Sequence, residues 1–164
     1  MRRIIIILGL TGLAWSAAPA AAQDGNRIAY QGWGPRIGLT TDPEQFHFGA
    51  HLDITGPSNH LRFTPNLEVG LGDDMTLLAI NGEAHYRFFA DWDRWSPYAG
   101  GGLGLNLLSD DDEGLRDDTD SELGLSALGG IERYLANGNR FFIEGKAGLV
   151  DSPDLKLSVG WTFF

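Results

Sequence analysis

The chain has 164 residues, with 12 Lys and Arg against 22 Asp and Glu, a formal net charge of −10, and no cysteine. The acidic balance argues against nucleic acid as a partner. The lack of cysteine excludes a disulfide scaffold, so packing and hydrogen bonding must hold the fold. At this length we expect a single domain.

The first segment, residues 1–22, has the pattern of a cleaved signal peptide. Two arginines precede an apolar stretch, and a run of small residues after it offers an A-x-A cleavage site. The stretch is shorter than the about 20 apolar residues that a membrane-spanning helix needs. We therefore predict export through this signal peptide, with residues 23–164 forming the mature barrel domain described below.

From about residue 33 to the last residue, segments in which apolar and polar residues alternate with a period of two recur along the chain. This period is typical of β-strands. The clearest case is "FHFGAHLDI", where Phe46, Phe48 and Leu52 share one face and His47 and His51 share the other. Short turn sequences separate the segments, so we predict an antiparallel up-and-down meander. The eight predicted strands span roughly 33–41, 45–55, 61–72, 75–89, 97–108, 121–135, 140–150 and 154–164.

The last predicted strand, "LKLSVGWTFF", alternates up to the final residue, whereas chain ends are usually polar and frayed. A strand patterned in this way must be paired. Pairing with the first strand would close the sheet into a barrel and leave no edge with unpaired backbone groups.

The apolar faces of the predicted strands carry no charged residue, and this is consistent with two classes of barrel. A soluble barrel buries its apolar face, whereas a transmembrane barrel turns that face to lipid, where a charge costs about 2–4 kcal/mol at mid-bilayer. Strands of about 9–11 residues suffice to cross the bilayer. Aromatic residues gather near one end of the predicted strands, which favours the transmembrane class. The predicted aromatic girdle comprises Trp33, Tyr86, Phe88, Trp92, Trp95, Tyr98, Tyr134 and Phe141.

The opposite faces carry the ionisable residues, with basic and acidic groups in equal number. Because an eight-stranded barrel encloses just enough space for side chains, this balance predicts an interior plug of ion pairs and no water-filled pore. We expect Glu83 to pair with Arg87, and Glu68 to pair with Arg62 or Arg87. The predicted interior charge network comprises Arg36, His47, His51, Asp53, Arg62, Glu68, Glu83, His85, Arg87, Glu132, Glu144, Lys146 and Lys156.

Together, the signal peptide, the eight alternating strands and the aromatic last strand resemble the small eight-stranded outer-membrane barrels of the OmpA/OmpX type. The resemblance implies location in the bacterial outer membrane and contact with its lipid and lipopolysaccharide. It also implies that the outer-membrane assembly machinery reads Trp161, Phe163 and Phe164. The chain departs from the usual pattern because Phe163, and not the final Phe164, shares the outward face. We expect a monomer.

For function, we expect a structural or surface-interaction role, with no catalysis, cofactor or metal. Two alternatives stay open: a lipid A-modifying enzyme of the deacylase or acyltransferase type, and a soluble periplasmic ligand-binding barrel. Catalysis would use His with Ser and an acid, and the candidates are His47, His51 with Asp53, and Glu83 with His85. These residues face inward, which favours structural hydrogen bonding.

Two local features carry further expectations. The acidic run 109–120 matches a calcium-binding loop poorly, so we predict a solvated external loop, with weak bridging of divalent cations or lipopolysaccharide as the alternative. Pro35 and Pro65 cannot donate to a ladder, and at Pro65 we predict a bulge or a slip in register.

Overall fold

The computed structural model describes residues 28–41, 44–72, 75–88, 90, 92, 94–110 and 119–164. The predicted signal peptide and the centre of the acidic run lie outside these residues. The described part contains no helix that is long and apolar enough to cross a membrane. Its strands are β1 (Ala29–Thr41), β2 (Glu44–Thr55), β3 (Leu61–Leu71), β4 (Met75–Arg87), β5 (Ser96–Asp110), β6 (Thr119–Tyr134), β7 (Arg140–Val150) and β8 (Leu155–Thr162).

The eight strands form one closed antiparallel barrel in which each strand pairs with the next. The β1–β8 ladder closes it, running from the Arg36–Gly160 pair to the Thr40–Lys156 pair. An isolated bridge extends this ladder toward the chain ends. The predicted all-β, eight-stranded, up-and-down barrel is thereby confirmed.

Several strand boundaries differ from the prediction, and two of the differences add pairs to the sheet. β1 begins at Ala29, and its extra residues pair with the end of β2. β5 and β6 continue their ladder to the Ser109–Thr119 pair, so the connection between them is shorter than the predicted acidic loop 109–120. The alternation rule failed here because polar, charged residues can extend a hairpin beyond its apolar part.

Pro65 causes neither the predicted bulge nor the predicted slip. It lies opposite Gly82 in an unbroken β3–β4 ladder. On the other side of β3, the β2–β3 ladder has a gap opposite Pro65. No pair is formed between the His51–Asn66 pair and the Ile54–Phe63 pair, and the register is the same on both sides of the gap. Pro35 lies in a similar gap of the β1–β8 ladder. Each proline therefore occupies a position where the neighbouring strand receives no hydrogen bond.

The outer surface of the barrel is apolar. Among outward positions of the described strands, the charged residues are Glu44, the first residue of β2, and Arg133, the next to last of β6. They lie at opposite ends of the barrel. Between them, β3 presents apolar residues outward along its 11 residues. At a rise of about 3.3 Å and a tilt of about 40°, this length spans about 28 Å, close to a hydrocarbon core.

Two aromatic rings lie inside the barrel, and glycines make room for them. Tyr98 and Phe142 are 3% and 4% exposed. A Cβ at Gly130 would come within 2.5 Å of the Tyr98 hydroxyl, and one at Gly160 within 2.5 Å of the Phe142 ring. These inward glycines therefore allow a lumen this narrow to hold full-sized rings.

Candidate functional site

The strand alternation turns all thirteen predicted interior residues into the lumen. Twelve of them are at most 7% exposed, and the side chain of Arg87 is 22% exposed. The lumen is thus lined by ionisable groups that are withdrawn from water, so their mutual contacts decide what the site can do.

Arg36 of β1 is the centre of the first group of contacts. Its Nε lies 2.9 Å from Glu68 Oε1, its Nη1 3.4 Å from Glu83 Oε2, and its Nη2 2.6 Å from Glu144 Oε1. These carboxylates come from β3, β4 and β7. One guanidinium therefore ties together four strands across the lumen.

Two lysines complete this group. Lys156 Nζ lies 2.6 Å from Glu68 Oε2, and Lys146 forms an ion pair with Glu83 Oε1. The group holds equal numbers of basic and acidic side chains, so their formal charges balance. We call it the Arg36 cluster; its members are Arg36, Glu68, Glu83, Glu144, Lys146 and Lys156.

Glu132 of β6 is the centre of a second group, the Glu132 cluster, nearer to the chain ends. Arg62 Nη1 lies 2.6 Å from its Oε2, Arg87 Nε 2.9 Å from its Oε1, and Arg140 Nε 3.4 Å from its Oε2. Asp53 forms an ion pair with Arg140 and lies 3.8 Å from Arg62 Nε. The described members carry three positive charges against two negative charges.

His85 and Tyr98 join the two clusters. Arg62 Nη2 donates to His85 Nδ1 at 3.0 Å, so Nε2 carries the proton that faces Glu83 Oε2 at 3.3 Å. The Tyr98 ring stacks on His85 with centroids 5.0 Å apart, and its hydroxyl donates to Glu144 Oε2 at 2.9 Å. The lumen therefore contains one connected network.

The ion pairs differ from those predicted. Among the ion pairs of the described residues, Glu83 contacts Arg36 and Lys146, Glu68 contacts Arg36 and Lys156, and Arg87 contacts Glu132. Glu68 contacts partners on β1 and β8. The prediction paired residues within one strand or on neighbouring strands, whereas strand tilt in a narrow barrel also brings side chains from opposite walls together.

Seven of the eight predicted girdle residues lie on the outer surface near the chain ends, and Tyr98 does not. Trp95, Phe141 and Trp161 form a row with centroid distances of 6.1 and 5.1 Å. Tyr98 has the parity of the inward-facing Asn106, so the prediction that placed it in the girdle was wrong.

Of the predicted assembly-signal residues, Trp161 and Phe163 are on the outer surface, whereas Phe164 lies at the barrel end with its ring 5.7 Å from the Arg140 guanidinium. Trp161 is the next-to-last residue of β8, and Phe163 bridges to Trp33, with ring centroids 5.8 Å apart. Phe164 is one residue beyond this pairing, where its ring stacks on Tyr134 at 5.9 Å. The bridge thus fixes the terminal register through Phe163.

Sequence reasoning missed Arg140, which is 2% exposed and contacts both acids of the Glu132 cluster. It begins β7 and shares its parity with Glu144 and Lys146. That parity was a usable signal. It was overlooked because Arg140 follows directly after the "ANGN" turn.

A serine and a histidine lie within hydrogen-bond distance in the lumen. His47 Nε2 is 2.9 Å from Ser158 Oγ, and His47 Nδ1 is 3.1 Å from Thr40 Oγ1. All three residues are at most 4% exposed. A catalytic arrangement needs an accessible nucleophile and a base oriented by a third group, commonly an acid. Here a hydroxyl occupies the place of the acid, and the pair is buried.

Glu83, His85 and Glu144 bring three potential metal-ligand atoms within 4.8 Å of one another. Arg36 contacts both carboxylates, and Lys146 contacts Glu83. A metal ion would have to displace the guanidinium, so these residues fit an ion-pair network better than a metal site.

No family model matches the sequence, and no curated protein matches it either. Solved structures do match. The neisserial surface protein A has a TM-score of 0.59 at 20% identity, with 83% of this chain and 97% of that chain covered. The N-terminal β-barrel domain of Pseudomonas aeruginosa OprF has 0.56 at 12% identity, covering 82% of this chain and 100% of that one.

A third match is a de novo designed protein, TMB2.3, with a TM-score of 0.53 at 16% identity, covering 87% of this chain and 97% of that one. At these identities the matches show the fold alone. The chain therefore has the fold of the eight-stranded outer-membrane barrels, as the sequence resemblance implied.

Proposed function

We propose that this chain is a barrel of the bacterial outer membrane with a structural or surface-interaction role and no catalytic activity. Its inverted polarity carries the proposal. Among the described residues, the buried ones are mainly charged or polar, whereas 28 large apolar or aromatic side chains are exposed. In water such an apolar surface would be an aggregation liability, whereas in lipid it is the expected outer face.

The orientation follows from the ends of the chain. The first and last strands meet at one end of the barrel, where most of the girdle aromatics lie. By analogy with outer-membrane barrels, we infer that this end faces the periplasm, with outer-membrane lipid and lipopolysaccharide around the apolar band.

One of the three matched structures supports a surface role, and the other two support the barrel fold alone. One matched protein is described as a surface protein, and another as a barrel domain of a Pseudomonas protein. The designed barrel shares the fold as well, so the fold by itself carries no activity. The residues Trp161, Phe163 and Phe164 would be read by the assembly machinery before the monomer inserts.

The lumen would be closed to solutes. Arg36 contacts carboxylates of three other strands, and the Glu132 cluster crosses the lumen nearer to the chain ends. An open pore would require these contacts to break together. The refolded protein should therefore show no steady conductance in planar bilayers, and a reproducible open channel would overturn this part of the proposal.

Cell fractionation tests the membrane location. The protein should be found in outer-membrane fractions and require detergent for purification. Recovery as a detergent-free soluble monomer from the periplasm, with none in the outer membrane, would contradict the proposal and favour the soluble ligand-binding barrel.

A lipid A-modifying enzyme is the second candidate, because His47 and Ser158 form a nucleophile–base pair. Mass spectrometry of lipid A from cells with and without the gene separates the two functions. An unchanged acyl pattern is expected. Loss or gain of an acyl chain that depends on Ser158 would establish the enzyme.

A further inference from the structure

We propose that a groove in the outer wall of the barrel binds one acyl chain of a glycerophospholipid. The groove crosses β3 and β4 and is centred on Pro65. This inference rests on the proposed membrane location and deepens it, because it assigns a defined lipid site within a general apolar surface.

The groove consists of two cavities that meet at Pro65. The larger has a volume of about 540 Å³ and the smaller about 340 Å³. Both are far larger than the share of about 30 Å³ that one water takes in the liquid, so they suit a chain of many methylene groups. Large apolar side chains flank them: Ile54, Phe63, Leu103 and Leu125 line the larger cavity, and Trp33, Leu52, Leu67 and Ile80 line the smaller.

Small outward residues form the floor of the groove. Pro65 lies opposite Gly82 in the β3–β4 ladder, and Ala84 lies opposite Gly101 in the β4–β5 ladder. A Cβ at Gly82 would meet no atom of the described residues within 4 Å. The wall is therefore hollow at this place, with space that the chain itself does not fill.

Polar side chains of the lumen reach the back of the groove, but they have partners within the barrel. Asn81 Nδ2 donates to Asn66 Oδ1 at 2.8 Å. Glu83, the charged residue of the lining, forms ion pairs with Arg36 and Lys146. The occupant therefore needs no charge, and an apolar chain fits the remaining surface.

The depth of the groove selects the kind of lipid. Pro65 is the fifth of the 11 residues of β3, near the middle of the apolar band. From there the lining extends to Trp33 of the aromatic girdle, whereas Phe46 and Phe48 at the opposite rim are not part of it. In the proposed orientation, the Trp33 end borders the periplasmic leaflet, which consists of glycerophospholipid.

Dispersion contacts explain why a chain would stay in the groove. Lipid tails are as apolar as the barrel wall, so burial from water does not favour one position on the wall over another. A chain in a concave groove contacts several strands at once, whereas a chain on a flat wall is contacted from one side. An empty groove would also forfeit the contacts of its own lining.

The test uses the full mature protein, refolded in vesicles of dioleoyl phosphatidylcholine and extracted in a maltoside detergent. Native mass spectrometry should show one retained phospholipid for each barrel. Gly82→Leu should lose this lipid, because the new side chain occupies the larger cavity. Gly129→Leu is the matched control and should keep the lipid, since Gly129 is an outward glycine of β6 outside the groove, and its Cβ would lie 3.7 Å from the nearest atom.

Protection from added protease in the vesicles measures insertion separately. A chain that does not insert would overturn the membrane location together with this inference. A chain that inserts but retains no phospholipid, or loses it equally in the Gly129 variant, would overturn the groove alone. Retention of a second copy of the chain in place of lipid would also overturn it and would assign the groove to a dimer interface. If Gly82→Leu does not insert, Ala84→Leu fills the same cavity, and loss of the lipid is again expected.

Discussion

The Arg36 cluster and the Glu132 cluster are inverse arrangements of the same chemistry. In the first, one guanidinium contacts three carboxylates, and two lysines balance the remaining negative charge. In the second, one carboxylate contacts three guanidiniums, and the described members carry three positive charges against two negative charges. The Arg36 cluster is buried throughout, whereas the Glu132 cluster has a member with a partly exposed side chain. The described ion pairs are therefore withdrawn from water in the first cluster and partly open to screening by water in the second.

Removing Arg36, the centre of the first cluster, should destabilise the barrel more than any other single change in the two clusters. Arg36→Met would leave three buried carboxylates without their shared partner. Breaking a buried ion pair in this way costs about 3–5 kcal/mol. We expect a corresponding fall in the urea midpoint of the barrel reconstituted in lipid vesicles.

Arg133→Met serves as the control, because it removes a guanidinium from the outer surface near a barrel end. Adding Glu144→Gln to Arg36→Met should recover part of the loss, since it removes one of the unpaired charges. Equal midpoints for the Arg36 and Arg133 variants would show that the cluster contributes no net stability.

Removing the central carboxylate should have a smaller effect. Glu132→Gln would leave three neighbouring guanidiniums, but the one with an exposed side chain can be hydrated, so we expect a loss of about 2 kcal/mol. Raising the salt concentration should reduce this loss more than that of Arg36→Met, because screening requires access to water. The same salt dependence in both variants would contradict the difference between the clusters.

Tyr98→Phe tests the connection between the clusters. It removes the hydroxyl that donates to Glu144 but keeps the ring that stacks on His85. A hydrogen bond to a charged group contributes about 1.5 kcal/mol, and we expect this loss in the urea midpoint. A double-mutant cycle with Glu144→Gln should show coupling, and additive effects would place the hydroxyl outside the network.

Arg87→Met should have the smallest effect, about 1 kcal/mol, because its side chain is partly hydrated. Double-mutant cycles identify the contact of Arg87. The cycle with Glu132→Gln should show coupling, whereas the cycle with Glu83→Gln should be additive. The opposite pattern would support the pairing that the sequence predicted.

The sequence was sufficient for the fold because a period of two, repeated eight times, specifies which face of each strand is polar. The same parity places Tyr98 and Arg140 inside the barrel, so the alternation pattern alone was enough to assign both. The partner of each charge could not be predicted in this way. Strand tilt decides which side chains meet across the lumen, and that tilt is a property of the closed barrel.

The prolines show a second limit. The sequence indicates that Pro35 and Pro65 cannot donate, but not which ladder loses the bond. The structure places both in gaps that leave the register unchanged. The cost is local, because the other neighbouring strand pairs with each proline without interruption.

The β1–β8 ladder has a consequence for the order of folding. Every other ladder joins strands that follow one another in the chain, whereas this one pairs Arg36 with Gly160. Loop-closure entropy makes such distant pairing the slowest to form. Hairpins of neighbouring strands can form early, but the sheet keeps two open edges until β8 pairs with β1. Until that last ladder forms, both edges carry unpaired backbone groups, which makes the almost complete barrel prone to pair with other chains.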